Sequence, residues 1–88
     1  MELTNKTVFI TGSSRGIGWG IAQAFAQAGA NIVLNGRKEI PQEKIAEIES
    51  FGVKCISICG DISSFEDSGK MIKECETTLG TVDILINN

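Results

Sequence analysis

The stretch TVFITGSSRGIG, residues 7–18, joins an apolar run to a glycine-rich turn and then to the start of a helical pattern. Such a junction gathers free backbone N–H groups and the positive end of a helix dipole, and its glycines let an anion approach the main chain. The spacing Gly-x3-Gly-x-Gly is a relative of the dinucleotide fingerprint Gly-x-Gly-x-x-Gly. Turns also use glycine for its backbone freedom. In this context, however, the stretch predicts a binding site for the phosphates of a nucleotide.

The rest of the chain alternates between short apolar runs and helical patterns. Predicted strands cover 7–11, 31–35, 53–59 and 82–86, and predicted helices cover 16–28, 41–51 and 64–79. Strands and helices that alternate in this way form βαβ units with a parallel sheet and right-handed crossovers. We therefore predict an α/β fold: a Rossmann-like, doubly wound parallel sheet with the strand order 3-2-1-4. An α+β domain with an antiparallel sheet is the alternative.

The first predicted helix has an apolar face and an unexpected tryptophan. Trp19 falls outside that face, nearer Gln23 and Gln27, so we expect its side chain to be exposed. Gly20 costs helix stability, and close packing of the helix on the sheet would explain it. The apolar face is predicted to consist of Ile17, Ile21, Ala24, Phe25 and Ala28.

Length and charge restrict the class of protein. The 88 residues make at most one small domain, with a net charge of −3. Residues 1–40 carry four basic and two acidic residues, whereas residues 41–88 carry four basic and nine acidic ones. A nucleic-acid-binding protein needs a broad basic face, so a small anionic cofactor fits this distribution better. No apolar run approaches the length of a membrane span.

The three cysteines, Cys55, Cys59 and Cys75, are an odd number, match no zinc-binding spacing and have no histidine beside them. They predict buried thiols rather than metal ligands. The start of the chain lacks the apolar core of a signal peptide. Together these features predict a cytoplasmic protein without a metal site.

The end of the second predicted strand indicates which dinucleotide is favoured. NAD-selective sites place an acidic residue there, which accepts a hydrogen bond from the ribose 2′-OH. Here the segment is Asn-Gly-Arg-Lys, residues 35–38, with no acid before Glu39. Arg37 is suited to binding a 2′-phosphate, and Arg15 in the glycine turn is placed to reach the same group. Each arginine alone is equally consistent with a solvated surface charge, but the pair favours NADP(H).

Polar residues follow the third and fourth predicted strands at the same sheet edge. Asp61 either accepts a hydrogen bond from the adenine amino group, with Ile62 facing the ring, or caps the third helix. Ser63 and Glu66 form a capping-box pattern at that helix. Asn87 and Asn88 either bond the backbone on both sides or form an ordinary turn.

The chain resembles the short-chain dehydrogenase/reductase family over its whole length. The resemblance rests on Thr-Gly-Ser-Ser-Arg-Gly-Ile-Gly (residues 11–18), on Asp61-Ile62 and on Asn87-Asn88, in that order and spacing. It implies an incomplete NADP(H)-binding Rossmann domain in residues 1–88. The family's catalytic Asn, Ser, Tyr and Lys would then lie after Asn88, and the isolated chain would be inactive, with an exposed fourth strand. The implied cofactor-binding residues are Gly12, Ser13, Ser14, Arg15, Gly16, Ile17, Gly18, Arg37, Asp61, Ile62 and Asn88.

Within the family, the Ser-Ser-Arg turn and the Asn-Gly-Arg segment look most like bacterial 3-oxoacyl-[acyl-carrier-protein] reductases. The resemblance implies an NADPH-dependent homo-tetramer of fatty acid biosynthesis, whose partner is acyl-carrier-protein carrying a β-ketoacyl group. The alternatives are another NADP(H)-linked member acting on a sugar, polyol or small ketone, and a non-catalytic nucleotide-binding module. A methyltransferase also uses a glycine loop, but Arg37 stands near the position where it needs an acid.

Overall fold

The computed structural model describes residues 3–61 and 65–88, with the side chains of residues 65–68 left undescribed. Four strands and three helices alternate along the chain. They are β1 (Thr7–Ile10), α1 (Gly16–Gln27), β2 (Asn31–Gly36), α2 (Gln42–Glu49), β3 (Cys55–Cys59), α3 (Phe65–Leu79) and β4 (Ile84–Ile86). Each element lies within three residues of its predicted bounds. Ile62 and the capping-box residue Ser63 lie outside the described residues, as does the side chain of Glu66.

The strands form one parallel sheet in the order β3-β2-β1-β4. The predicted doubly wound order is therefore confirmed, and the antiparallel alternative is wrong. β4 lies at one edge of the sheet, where Leu85 is 51% exposed. Because all strands point the same way, the segments that follow β1, β2, β3 and β4 lie together at the carboxyl ends of the strands. We call this side of the sheet its carboxyl edge.

Helices cover both faces of the central strands β1 and β2, and side chains that alternate along each strand pack on opposite faces. Val8 and Ile10 of β1 pack in a cluster with α1 and α2, together with Ile32 and Leu34 of β2. The intervening Phe9 packs on the opposite face with Met71 and Cys75 of α3, in a second cluster that includes Val33 and Ile58. The continuous apolar runs of β1 and β2 are thus explained by a layer of helices on each side.

Helix α1 contacts the sheet through a different face from the predicted one. Its buried residues are Gly18, Ala22 and Ala26, whereas Ile17 is 78% exposed and Ala24 is exposed as well. Ile21 and Phe25 are partly buried at the margin of the core. Small side chains line the contact because they let the helix backbone come close to the sheet.

Two expectations for neighbouring residues of α1 are also wrong. Trp19 is partly buried against the core, so it does not stand exposed. A Cβ atom at Gly20 would meet no atom within 4 Å, so close packing does not explain that glycine. The close approach occurs two residues earlier, at Gly18.

Candidate functional site

The glycine loop, residues 11–18, is tied to the end of β4. The Thr11 N–H donates to the Ile86 carbonyl at 3.0 Å. The Thr11 hydroxyl accepts a 2.9 Å hydrogen bond from the Asn88 N–H, and Asn88 Nδ2 donates to the Gly12 carbonyl at 3.1 Å. Asn88 therefore bonds the loop through both its backbone and its side chain, which fixes the loop against the sheet edge.

The loop is tied on its other side to β2 by a buried polar network. Ser13 Oγ donates to the Ile10 carbonyl at 2.7 Å and accepts from the Asn35 N–H at 2.9 Å. Asn35 Oδ1 accepts from the Gly12 N–H at 3.2 Å, while Nδ2 donates to the Ile58 carbonyl at 3.0 Å. The Asn35 amide thereby links the ends of three neighbouring parallel strands. Among the described residues, every buried side-chain polar atom has a hydrogen-bond partner.

The loop and α1 touch where a side chain could not fit. A Cβ atom on Gly18 would lie 2.4 Å from the Gly12 carbonyl oxygen and 2.7 Å from Asn88 Nδ2. Gly12 itself has φ +58°, a conformation that favours glycine. Because neither residue has a side chain, the backbone of α1 at Gly18 packs directly against the backbone of Gly12. The loop thereby forms a concave backbone surface that can receive an anion.

A cleft of about 850 Å³ opens beside this concave surface, in the size range of small-molecule sites. Arg15, Arg37, Lys38 and Lys44 line it against a single lining carboxylate, Glu39. The first turn of α1 carries no acidic residue, so the positive end of its dipole is not neutralised locally. The full lining is Gly12, Ser14, Arg15, Gly16, Gly36, Arg37, Lys38, Glu39, Pro41, Lys44 and Asn88. The cleft is suited to a phosphorylated ligand.

The structure brings together part of the predicted set. Gly12, Ser14, Arg15, Gly16, Arg37 and Asn88 line the cleft. Ser13 and Gly18 are buried and lie outside the lining, where they shape the loop. Ile17 points its side chain to solvent, and Asp61 follows β3 at the same sheet edge, also outside the lining.

Sequence reasoning missed Asn35 and Lys44 as parts of the site. Asn35 is 3% exposed and directly follows the apolar run 32–34 of β2, and a polar residue at such a position indicates a buried hydrogen-bonding role. Lys44 donates to the Ser14 carbonyl, and its Nζ lies 4.7 Å from the centroid of the Trp19 ring. No local pattern in the sequence pairs Lys44 with either residue.

A second cleft, of about 310 Å³, lies between the end of β3 and α3 and is lined in part by Cys59 and Gly60. Cys59 is exposed, whereas Cys55 and Cys75 are buried, so the prediction that the thiols are buried is wrong for Cys59. Burial, with Glu49 nearby, raises the pKa of Cys55 to about 12. Burial, with Glu74 nearby, raises the pKa of Cys75 to about 11.

At pH 8 we expect iodoacetamide to modify Cys59 much faster than Cys55 or Cys75. The thiolate is the reactive form, and with a pKa of about 12 only on the order of one Cys55 in ten thousand is ionised at that pH. Peptide mass spectrometry over a time course measures the three rates. In denaturant the three rates should become similar. A Cys55 rate equal to that of Cys59 in the native protein would contradict the burial of Cys55.

Within the described ranges, residues 3–61 and 65–88, no helix is long and apolar enough to cross a membrane. The same part of the chain contains no cluster of three or more His, Cys, Asp or Glu residues that could bind a metal ion.

Curated relatives match almost the whole chain. It is 37% identical over 87 residues to the oxidoreductase UcpA of Salmonella typhimurium, covering 99% of this chain and 33% of the relative. It is 37% identical over 86 residues to the 3-oxoacyl-[acyl-carrier-protein] reductase FabG of Staphylococcus epidermidis, covering 96% and 35%. It is 40% identical over 89 residues to the sorbose reductase SOU1 of Candida albicans, covering 99% and 31%. The chain thus spans about a third of the length of these relatives.

Solved structures and a family model agree with this result. The L-sorbose reductase of Gluconobacter frateurii, whose crystal structure contains NADPH and L-sorbose, superimposes with a TM-score of 0.90 at 35% identity. The match covers 98% of this chain and 34% of that one. The family model for short chain dehydrogenases matches residues 6–88. Because this match extends over nearly the whole chain, the chain belongs to the short-chain dehydrogenase family.

Proposed function

We propose that the chain is the NADP(H)-binding part of an oxidoreductase whose remaining residues complete the same domain. The observation that carries the proposal is the cleft beside the glycine loop, in which four cations meet one carboxylate. Its β2 side begins with Gly36 and Arg37, where an NAD-selective site would place an acid. The chain's span of about a third of its relatives supports a larger complete domain.

Each part of the cleft has a separate role in holding the cofactor. The glycine loop and the start of α1 would receive the pyrophosphate, because glycines and a helix N-terminus meet there. Arg15 and Arg37 would bind the 2′-phosphate, and Asp61 with Ile62 would contact the adenine. Asn88 and Asn35 hold the loop in shape. When bound, NADPH supplies the hydride, and this chain's residues fix its position.

For the substrate, we propose a 3-oxoacyl group on acyl-carrier-protein, reduced to the 3-hydroxyacyl form by a homo-tetramer. The 37% identity to the staphylococcal FabG proteins supports this choice, together with the Ser-Ser-Arg turn. Reduction of a sugar ketone is a second candidate, supported by sorbose reductases among both the curated relatives and the solved structures.

The test is carried out on the protein expressed from its complete gene. NADPH oxidation is measured with acetoacetyl-acyl-carrier-protein and, in parallel, with L-sorbose, and each assay is repeated with NADH. We expect turnover of the acyl substrate with NADPH. Turnover of sorbose alone would favour the second candidate. Absence of turnover and of NADPH binding would reject the proposed function.

A further inference from the structure

Lys44 occupies a position that its own helix does not favour. It lies in the first turn of α2, which spans Gln42–Glu49, and a cation at a helix N-terminus is opposed by the helix dipole. Its ammonium nevertheless donates to the Ser14 carbonyl and lies 4.7 Å from the Trp19 ring centroid. Both partners belong to the glycine loop and α1, so Lys44 joins α2 to the phosphate-binding part of the chain.

The contact with Ser14 changes the electrostatics of the cleft. Ser14 lines the cleft, and its carbonyl oxygen is a negative dipole end that would repel a phosphate nearby. A hydrogen bond from an ammonium group offsets that charge and leaves the remaining field positive. Lys44 also lines the cleft itself, as Arg37 and Arg15 do.

The Trp19 ring helps to hold the Lys44 ammonium group at the cleft. The face of an indole ring attracts a cation, and Trp19 is partly buried against the core, which limits its movement. A lysine has several rotatable bonds and would otherwise sample many positions in water. The ring and the Ser14 carbonyl together hold it at the cleft.

We propose that Lys44, positioned by Trp19 and by the Ser14 carbonyl, is a specificity-determining residue for the 2′-phosphate of NADP(H). The inference rests on the proposed function, because it assigns a residue to the same cofactor site. Lys44 acts on the phosphorylated ribose through its charge, whereas the loop glycines act on the pyrophosphate that both dinucleotides share. Its loss should therefore affect one class of ligand selectively.

The experiment compares two ligands that differ in the 2′-phosphate: 2′,5′-ADP and 5′-AMP. Their binding to the protein from the complete gene is measured by calorimetry for the parent, K44M, K44Q, K44R and W19A. K54M is the matched control, because Lys54 is exposed and lies outside the cleft lining. Thermal midpoints establish that each variant is folded.

K44M and K44Q should weaken 2′,5′-ADP binding by roughly 5- to 20-fold and change 5′-AMP binding by less than about twofold. K44R should retain most of the affinity, and W19A should show a smaller selective loss. Raising the salt concentration from about 0.05 to 0.5 M should shrink the difference between K44M and the parent. K54M should match the parent.

Two outcomes separate the inference from the function on which it rests. A parent protein that binds 2′,5′-ADP no better than 5′-AMP rejects NADP(H) selectivity itself. A parent that prefers 2′,5′-ADP, with K44M and K44Q weakening both ligands equally or neither, rejects only the role of Lys44. Equal weakening would show that Lys44 merely supports the loop.

Discussion

Replacing Gly18 by alanine is expected to abolish NADPH binding, while the same change at Gly20 leaves it intact. The new methyl carbon at Gly18 would lie 2.4 Å from the Gly12 carbonyl oxygen. Its nearest neighbour is backbone, so the loop or the helix must move. At Gly20 a Cβ meets no atom within 4 Å. The two glycines are two residues apart on one helix, so they form a matched pair.

Calorimetry with NADPH and thermal unfolding of both variants measure this difference. For G18A we expect an affinity loss of at least about 100-fold and a stability loss of about 1–3 kcal/mol from overpacking. G20A should gain up to about 1 kcal/mol from helix propensity. An unchanged dissociation constant for NADPH in folded G18A would show that the cofactor does not depend on this loop shape.

The second large effect is a reversal of cofactor preference by the double substitution G36D/R37L. Removing Arg37 takes away a cation of the cleft, and the new carboxylate at position 36 repels a 2′-phosphate but accepts a hydrogen bond from a free 2′-OH. A Cβ at Gly36 would meet Ser14 Cβ, Ser14 Oγ and the Lys38 carbonyl, each at 3.4 Å. A distance of 3.4 Å is close to ordinary van der Waals contact, so an aspartate at position 36 requires only small shifts of these neighbours.

The ratio of kcat/KM for NADPH to that for NADH is the measured quantity. We expect it to fall by roughly 100-fold or more in G36D/R37L, which corresponds to about 3 kcal/mol of differential binding. R37K, which keeps the charge, should retain the NADPH preference. A parent protein that already prefers NADH would contradict the assignment of the 2′-phosphate to this cleft.

The alternation of apolar runs and helical patterns was enough to predict the parallel sheet, its order and the loop at its carboxyl edge. This succeeded because the central strands β1 and β2 are buried on both faces, so that β1 (Thr7–Ile10) reads as a continuous apolar run. The charge pattern was equally local. Arg15 and Arg37 each follow a predicted strand, and consecutive parallel strands bring such positions to one edge.

The tertiary structure decided which face of α1 is buried and which residues of the site contact one another. The predicted buried face included the large side chains of Ile17, Ile21 and Phe25. In the structure Gly18 lies against the Gly12 carbonyl, and this contact turns Ala22 and Ala26 toward the sheet. Trp19 and Lys44 meet through the packing of α1 on α2. Asn35 forms hydrogen bonds with residues of the glycine loop and of β3. The sequence alone determined which segments become strands and helices, because that depends on local periodicity. Contacts between residues far apart in the chain depend on how closely two backbones approach, and only the folded structure fixes that distance.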